Sequence, residues 1–163
     1  MVSGPGLAGL RAAAGAVPDP EIPVLTLADL GVLRDVRLAA DGTAEADITP
    51  TYTGCPATEV IEAAVAAALQ AAGARRAVVR RVWSPAWTTD WISEAGRRKL
   101  REFGIAPPGP AGNRGPAVLE LTACCPRCGS ARTREVSRFG STPCKALWAC
   151  GSCGEPFDSF KAI

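Results

Sequence analysis

Cys125-Pro126-Arg127-Cys128-Gly129 and Cys150-Gly151-Ser152-Cys153-Gly154 are two copies of one pattern, C-x-x-C-G, with residues 130–149 between them. Two thiolates three positions apart can grip one tetrahedral ion inside a tight turn, and the glycine permits the turn that aims backbone N–H groups at sulfur. The spacing therefore predicts a four-cysteine ribbon with Cys125, Cys128, Cys150 and Cys153 as ligands. Val136, Phe139, Leu147 and Trp148 would stand in the strands between the knuckles. Four unliganded buried thiols are the alternative, and chance C-x-x-C pairs at this spacing are uncommon. Zinc suits a closed tetrahedral site, but C-P-x-C-G knuckles also surround single redox irons, so both metals stay open. Cys124 could replace Cys125 only through a longer bite and is read as a bystander.

Working outward, residues 117–163 are too short for a self-sufficient hydrophobic core and need such a staple. Residues 104–116 hold four prolines and four glycines, the composition of a linker. Residues 1–103 then form a separate domain. Leu7, Leu10, Ala14 and Val17 recur at helical spacing and stop at Pro18. Asp19-Pro20-Glu21-Ile22-Pro23 must be extended or turned, because two prolines exclude a helix interior. Thr26 to Gly31 reads as one helical turn closed by glycine. Val32, Val36 and Leu38 precede Asp41-Gly42, a two-residue hairpin signal, and Ala44, Ala46 and Ile48 then alternate with polar neighbours as a half-buried strand does. From Pro56 to Ala72 the residues Val60, Ile61, Ala64, Val65, Ala68 and Leu69 form one apolar helical stripe, with Gly73 as its stop. Val78, Val79, Val82 and Trp83 make a third strand. Asp90 to Phe103 is expected to be a helix with Arg97, Arg98, Lys99 and Arg101 on its solvated side. The fold class is α+β: a small α/β domain with a hairpin, a third strand and packed helices, followed by a four-cysteine mini-domain.

Composition narrows the chemistry. The 163 residues contain no histidine, which removes Ser-His and Cys-His dyads, His-ligated metals and imidazole proton shuttles. Any transition metal must be held by thiolates or carboxylates. Hydrophobic residues make up 47% but aromatics only 6%, so alanine supplies much of the core and the core is thin. The formal charge is +2, and four thiolates around a divalent ion bring it near zero, which argues against nucleic-acid binding. No apolar run approaches the roughly 18–20 residues of a spanning helix. The segment Val2–Val17 lacks the basic lead-in of a signal peptide, so no membrane contact is expected and the cytoplasm is the default address. Seven cysteines, four of them in C-x-x-C pairs, fit metal binding in a reducing compartment.

One thiol stands apart. Cys55, in Thr51-Tyr52-Thr53-Gly54-Cys55-Pro56-Ala57, falls between the second strand and the long helix. With Pro56 at the first helical position, Cys55 is expected at the N-cap, where the helix end favours its thiolate, the form that ligates iron or attacks an electrophile. A small buried junction residue is the competing reading. Glu21 is a plausible neighbour once the fold closes, against a plain turn-forming role for Asp19 and Glu21. Trp83, Trp87 and Trp91 cluster in one segment, read as a folding element, or as a partner surface if exposed.

Taken together, Asp-Pro-Glu-Ile-Pro-Val at 19–24, Asp-Leu-Gly-Val-Leu-Arg-Asp-Val at 29–36 and Pro-Thr-Tyr-Thr-Gly-Cys-Pro-Ala at 50–57 resemble the SufT-like domain of iron–sulfur assembly factors. Trp-Thr-Thr-Asp-Trp-Ile-Ser-Glu at 87–94, Arg-Arg-Lys-Leu-Arg-Glu at 97–102, Phe-Gly-Ser-Thr-Pro-Cys-Lys-Ala at 139–146 and Glu-Pro-Phe-Asp at 155–158 are similar to the PaaD (PaaJ) family of phenylacetate degradation. The resemblance spans nearly the whole chain. It implies a SufT-like domain joined to a zinc ribbon, and an accessory role beside the phenylacetyl-CoA 1,2-epoxidase, a di-iron oxygenase served by a flavin and 2Fe–2S reductase. Partners implied are the reductase and oxygenase subunits and the iron–sulfur assembly machinery. The work implied is cluster assembly or insertion, with Cys55 and Glu21 handling transient iron or a cluster and Cys125, Cys128, Cys150 and Cys153 holding the ribbon metal. Cys144 matches a family cysteine of underived role. Ser159 and Ala162 stand where the family pattern has Tyr and Cys, so a terminal cysteine is not an indispensable ligand.

Four functions compete. The first is a maturation factor that is not itself catalytic. The second is an interaction module that tethers epoxidase components through the ribbon. The third is a thiol enzyme, which lacks a nearby resolving cysteine. The fourth is rubredoxin-like electron transfer. Oligomeric state is not readable from the pattern, and a homodimer stays open.

Overall fold

The computed structural model describes residues 6–109 and 123–163. The expected linker positions 110–116 and ribbon positions 117–122 lie outside the described residues. The chain divides into two compact units, residues 1–87 and 88–163.

In the first unit, α1 (Leu7–Gly15) buries Leu10 and Ala14, as its spacing predicts, but Leu7, expected on the same face, is exposed at the helix start. The chain then closes a loop in which Asp19 Oδ1 accepts from the Glu21 and Ile22 backbone N–H groups, at 2.9 and 2.8 Å. The short helix α2 (Leu27–Leu30) opens with a capping box. Thr26 Oγ1 accepts from Asp29 N–H, Asp29 Oδ2 accepts from Thr26 N–H, and Gly31 ends the turn at a φ of 68°.

Strands β1 (Leu33–Leu38) and β2 (Thr43–Ile48) pair antiparallel, and β2 pairs parallel with β3 (Arg76–Arg81) across the long helix α3 (Thr58–Ala71). The sheet order is β1-β2-β3, so β2 is central. Its Ala44, Ala46 and Ile48 are buried, as the alternation predicts. The other side carries Arg37, which bonds Asp47 at 2.8 and 3.0 Å and Asp35 at 2.8 Å, while Arg80 bonds Glu45 at 2.8 Å. These half-exposed pairs are each worth at most about 1 kcal/mol, so the apolar face does most of the stabilising.

Two local expectations change. The hairpin does not use a two-residue turn. Gly42 N–H bonds Ala39 O at 3.0 Å and Ala39 N–H bonds Thr43 O at 2.8 Å, a three-residue loop with Gly42 at φ 83°. Val60 is not in the core stripe but 58% exposed, because Thr58, Ile61, Val65 and Leu69 already fill the buried arc of α3. Trp87 is buried, its Nε1–H donating to Leu30 O at 2.9 Å, so this part of the tryptophan segment folds the unit.

The second unit starts earlier than residue 117. Thr89–Trp91 form a 3-10 turn, and α4 (Glu94–Glu102) begins at Ser93, whose Oγ accepts from Gly96 N–H at 2.9 Å. The single expected helix over 90–103 is thus broken in two. Arg97 is not on the solvated side. Its guanidinium donates to Pro108 O at 2.6 Å and to Thr89 O at 2.8 Å. After Leu100, fully buried, the strand β4 (Ile105–Ala106) pairs parallel with β7 (Pro156–Phe160). The division into compact units falls after residue 87, and Ile105–Ala106, at the start of the expected linker, pair with β7. The remaining strands, β5 (Thr133–Ser137) and β6 (Lys145–Cys150), complete a sheet of order β4-β7-β6-β5. One buried cluster on it joins Ala106, Cys125, Ala146, Trp148, Cys150 and Phe157, and Ile105 and Phe160 are buried as well. Among the described residues no helix is long and apolar enough to cross a membrane.

Candidate functional site

The four predicted ribbon cysteines converge. Their sulfurs all lie within 4.8 Å of one another, with Cys125 Sγ 3.8 Å from Cys153 Sγ and Cys128 Sγ 3.6 Å from Cys150 Sγ. A tetrahedral ion with metal–sulfur bonds of about 2.3 Å requires sulfur–sulfur edges of about 3.8 Å. The donor set fits one ion.

Each knuckle is built the same way. Gly129 N–H bonds Cys125 O at 2.8 Å and Cys125 N–H bonds Ser130 O at 2.9 Å. Gly154 N–H bonds Cys150 O at 3.0 Å and Cys150 N–H bonds Glu155 O at 2.9 Å. Gly129 and Gly154 sit at φ values of 74° and 78°, a left-handed region that a side chain would strain. The second knuckle also turns the Ser152 and Cys153 N–H groups toward Cys150 Sγ, at 3.4 and 3.5 Å. Two side-chain bonds join the knuckles, Ser130 Oγ with Ser152 Oγ at 2.8 Å and Arg127 with Glu155.

Protonation follows that wiring. The Cys153 backbone N–H, helped by that of Ser152 and by Cys128, lowers the Cys150 thiol to about 6 despite burial. The Ser130 backbone pulls Cys128 down, but its hydrogen bond to Cys150, burial, and contacts with Cys153 and Cys125 push it up to about 12. The Glu155 carboxylate holds the Arg127 guanidinium above its ordinary range. Without metal, then, Cys150 favours the metal-free fold most fully above its ordinary value of 9.0, a contribution lost as pH falls through about 6. A metal ion must displace whatever protons the sulfurs carry. Metal affinity should fall on acidification, and fall more steeply below about 6, where Cys150 also takes a proton. A competition titration with a chromogenic chelator across that pH range checks this, and an affinity flat with pH would contradict it.

Cys55 and Glu21 are placed differently. Cys55 is half-buried in the loop between β2 and α3, but it is not the N-cap. The cap is Ala57, and the helix starts at Thr58, whose N–H and Oγ1–H both donate to Cys55 O, at 3.2 and 2.9 Å. Pro56 therefore lies within the turn before the helix, and the thiol sits outside the first helical turn. Glu21 is half-buried in the Asp19 loop. Among the described residues the ribbon quartet is the only group of three or more metal-ligating side chains within reach of one ion, and neither Cys55 nor Glu21 belongs to such a group. Cys124 is exposed and outside the quartet, and Cys144 is buried with its Sγ 3.0 Å from Thr142 Oγ1.

Two features escaped the sequence reading. Arg127 and Glu155, one inside the first knuckle and one just past the second, are a complementary pair whose meeting only the ribbon fold reveals. Lys145, next to Cys144, is buried and lies 3.5 Å from Asp158. A lysine inside an alternating apolar strand was the available signal.

Comparison with known proteins accounts for both units. Residues 8–80 match the family described as iron–sulfur cluster assembly protein, and residues 111–161 match the PaaD zinc beta ribbon domain. Over 147 residues the chain is 50% identical to an Escherichia coli (strain K12) protein, the D component of a "Putative 1,2-phenylacetyl-CoA epoxidase", covering 90% of this chain and 87% of that one. The chain belongs to the PaaD family. The chain is also 33% identical to an Fe-S protein maturation auxiliary factor of Porphyromonas gingivalis, over 52% of this chain and 80% of the relative. A Bacillus anthracis domain of unknown function DUF59 shares the fold at a TM-score of 0.53 and 28% identity, covering 57% of this chain and 89% of that one. The α+β class and metal-binding ribbon thus stand, with four clustered cysteines in this chain.

Proposed function

We propose that this PaaD-family chain is an accessory factor that helps assemble or insert an iron–sulfur cluster in the reductase of a phenylacetyl-CoA epoxidase. The observation that carries this reading is one chain joining a unit similar to Fe-S maturation auxiliary factors, with Cys55 in an accessible loop, to a ribbon shared with an epoxidase component. The Cys55 sulfur is the transient ligand for iron or a cluster, with Glu21 as the acid of the same unit. Because Cys55 has no set of co-ligands among the described residues, it suits hand-off better than storage: a client or donor protein completes the coordination. The reductase and oxygenase subunits and the iron–sulfur assembly machinery are the partners, in the reducing setting that seven free thiols favour.

The ribbon metal is zinc. A closed four-thiolate shell leaves no open position for chemistry, so Cys125, Cys128, Cys150 and Cys153 use the ion to hold a fold. The purified protein should be colourless with about one zinc per chain; a red, iron-loaded protein would support the electron-transfer reading instead.

The test of the main reading is client loading. Reductase made beside the Cys55→Ser variant should show a small fraction of the 2Fe–2S absorbance per protein that it shows beside the unmodified chain. Equal loading would overturn the assignment of Cys55.

A further inference from the structure

The segment from Val136 to Asp158 contains structure that neither metal holding nor a thiol at Cys55 uses. Phe139 is 78% exposed and Val136 49% exposed, on the strand that is at the edge among the described residues and the loop that follows it. Exposed side chains of this size on a small ribbon are usually loose, yet this loop is tied at several points. Phe139 N–H donates to Ser137 Oγ at 3.1 Å, Gly140 N–H to Lys145 O at 2.9 Å, and Lys145 N–H to Thr142 O at 3.0 Å. Ser141 Oγ–H donates to Asp158 Oδ2 at 2.8 Å, and the ammonium of Lys145, whose side chain is 7% exposed, lies 3.5 Å from the same oxygen. Gly140 is held so close that a Cβ there would come 2.8 Å from Asp158 Oδ1 and 3.1 Å from the Lys145 carbonyl carbon. Lys161 Nζ stands 5.2 Å from the Phe139 ring centroid while donating to Pro143 O at 2.8 Å. A partly buried ion pair and a close-packed glycine fix the loop that carries Phe139, and a cation stands over its ring.

We infer that Phe139 and Val136, rimmed by Arg134, Arg138 and Lys161, are the docking face for a client protein that offers an apolar pocket bordered by carboxylates. This rests on the accessory reading above and names the surface through which it acts. Three observations choose this occupant. A rigid aromatic anchor loses little side-chain entropy on binding, as interface hot spots require. Among the described residues the patch carries exposed Arg134 and Arg138 with Lys161 over the ring, against Glu135, which lies 3.7 Å from Arg138, and Asp158, which is held by Ser141 and Lys145. A second copy laid face to face would set Arg134 and Arg138 against themselves, so an acidic partner fits and an isologous dimer does not. Finally, β5 has a register shift between Glu135 and Ser137 that leaves Val136 unmatched. Such a bulge spoils an edge for strand addition while re-aiming the side chain, so docking runs through side chains and not through an added strand.

The probes are the purified oxygenase and reductase subunits of the epoxidase from the same organism, tested against the full zinc-loaded chain. The unmodified chain should bind one of them with an affinity that weakens as salt is raised. Phe139→Ala should weaken that affinity at least about tenfold, and the pair Arg134→Glu with Arg138→Glu should weaken it and remove most of the salt dependence. Both variants change exposed positions, so zinc content and melting temperature serve as controls for folding. Full affinity in both variants, no binding of the unmodified chain to either probe, or self-association that Phe139→Ala abolishes would each overturn the docking face. Failure of the accessory reading shows elsewhere, as normal reductase loading beside Cys55→Ser.

Discussion

Cys150→Ser combined with Cys153→Ser should leave the protein without its ribbon metal and the second sheet unfolded, while the first unit keeps its helices. The reasoning is one of scale. One buried cluster on the sheet of β4 to β7 consists largely of small or sulfur side chains, and two of its members, Cys125 and Cys150, belong to the thiolate quartet. A core in so short a segment rarely supplies more than about 3–5 kcal/mol. Structural zinc in such knuckles contributes about 10–16 kcal/mol in apparent binding free energy, which here is folding free energy. Removing two thiolates also strands the backbone N–H groups of Ser152 and Cys153 that face Cys150 Sγ. Metal content by mass spectrometry should fall from about one ion per chain to a trace, and the near-ultraviolet signal of buried Trp148 should collapse. A strong chelator added to the unmodified protein should reproduce both changes. Undiminished metal in the double variant would show that the quartet is not the site.

Leu69→Ala should produce the largest loss in the first unit. Leu69 is fully buried near the end of α3, on the same stripe as Ile61 and Val65. Large-to-small changes at such positions cost about 2–5 kcal/mol, depending on how well the surroundings collapse into the space. Here many of the buried side chains are alanines, among them Ala14, Ala44, Ala46, Ala57 and Ala74, and alanine has no rotamer with which to fill a void. The cost should therefore approach the upper end, about 4 kcal/mol, which for a unit of this size lowers the melting midpoint by on the order of 15–30 °C. Val60→Ala, one stripe away and exposed, should stay within about 0.5 kcal/mol of the parent. Differential scanning calorimetry of the two variants checks the contrast. Matching midpoints for Leu69→Ala and Val60→Ala would mean that α3 does not pack as described.

The same helix shows how far pattern alone reaches. Period 3.6 places Val60 beside Ile61 and Ala64 in an apolar stripe, yet only one of two adjacent positions can point at β3 and α1, and Ile61 takes the place. Likewise Asp41-Gly42 announces a reversal but not its length. The three-residue loop follows from how the Ala39–Thr43 pair closes. The pairing at the start of the expected linker is the larger difference. Pro and Gly mark local irregularity, whereas whether Ile105–Ala106 joins a sheet depends on an edge of β7 more than fifty residues away in the chain, which no local composition encodes. For Cys55, Pro56 suggests the first helical position, but the helix starts at Thr58 because Thr58 turns its N–H and hydroxyl onto the Cys55 carbonyl.

What the order of residues determined by itself is the chemistry: the absence of histidine leaves thiolates and carboxylates to handle transition metals, and two C-x-x-C-G turns carry their own geometry because spacing and glycine act within five residues. Tertiary structure alone decided which distant pieces meet. The two knuckles close to sulfur–sulfur distances of 3.6 and 3.8 Å, Lys145 finds Asp158, and Phe139 is left in water under Lys161. Those meetings depend on strand register and packing summed over a whole sheet, and a sum of that kind is not stored in any short stretch of chain.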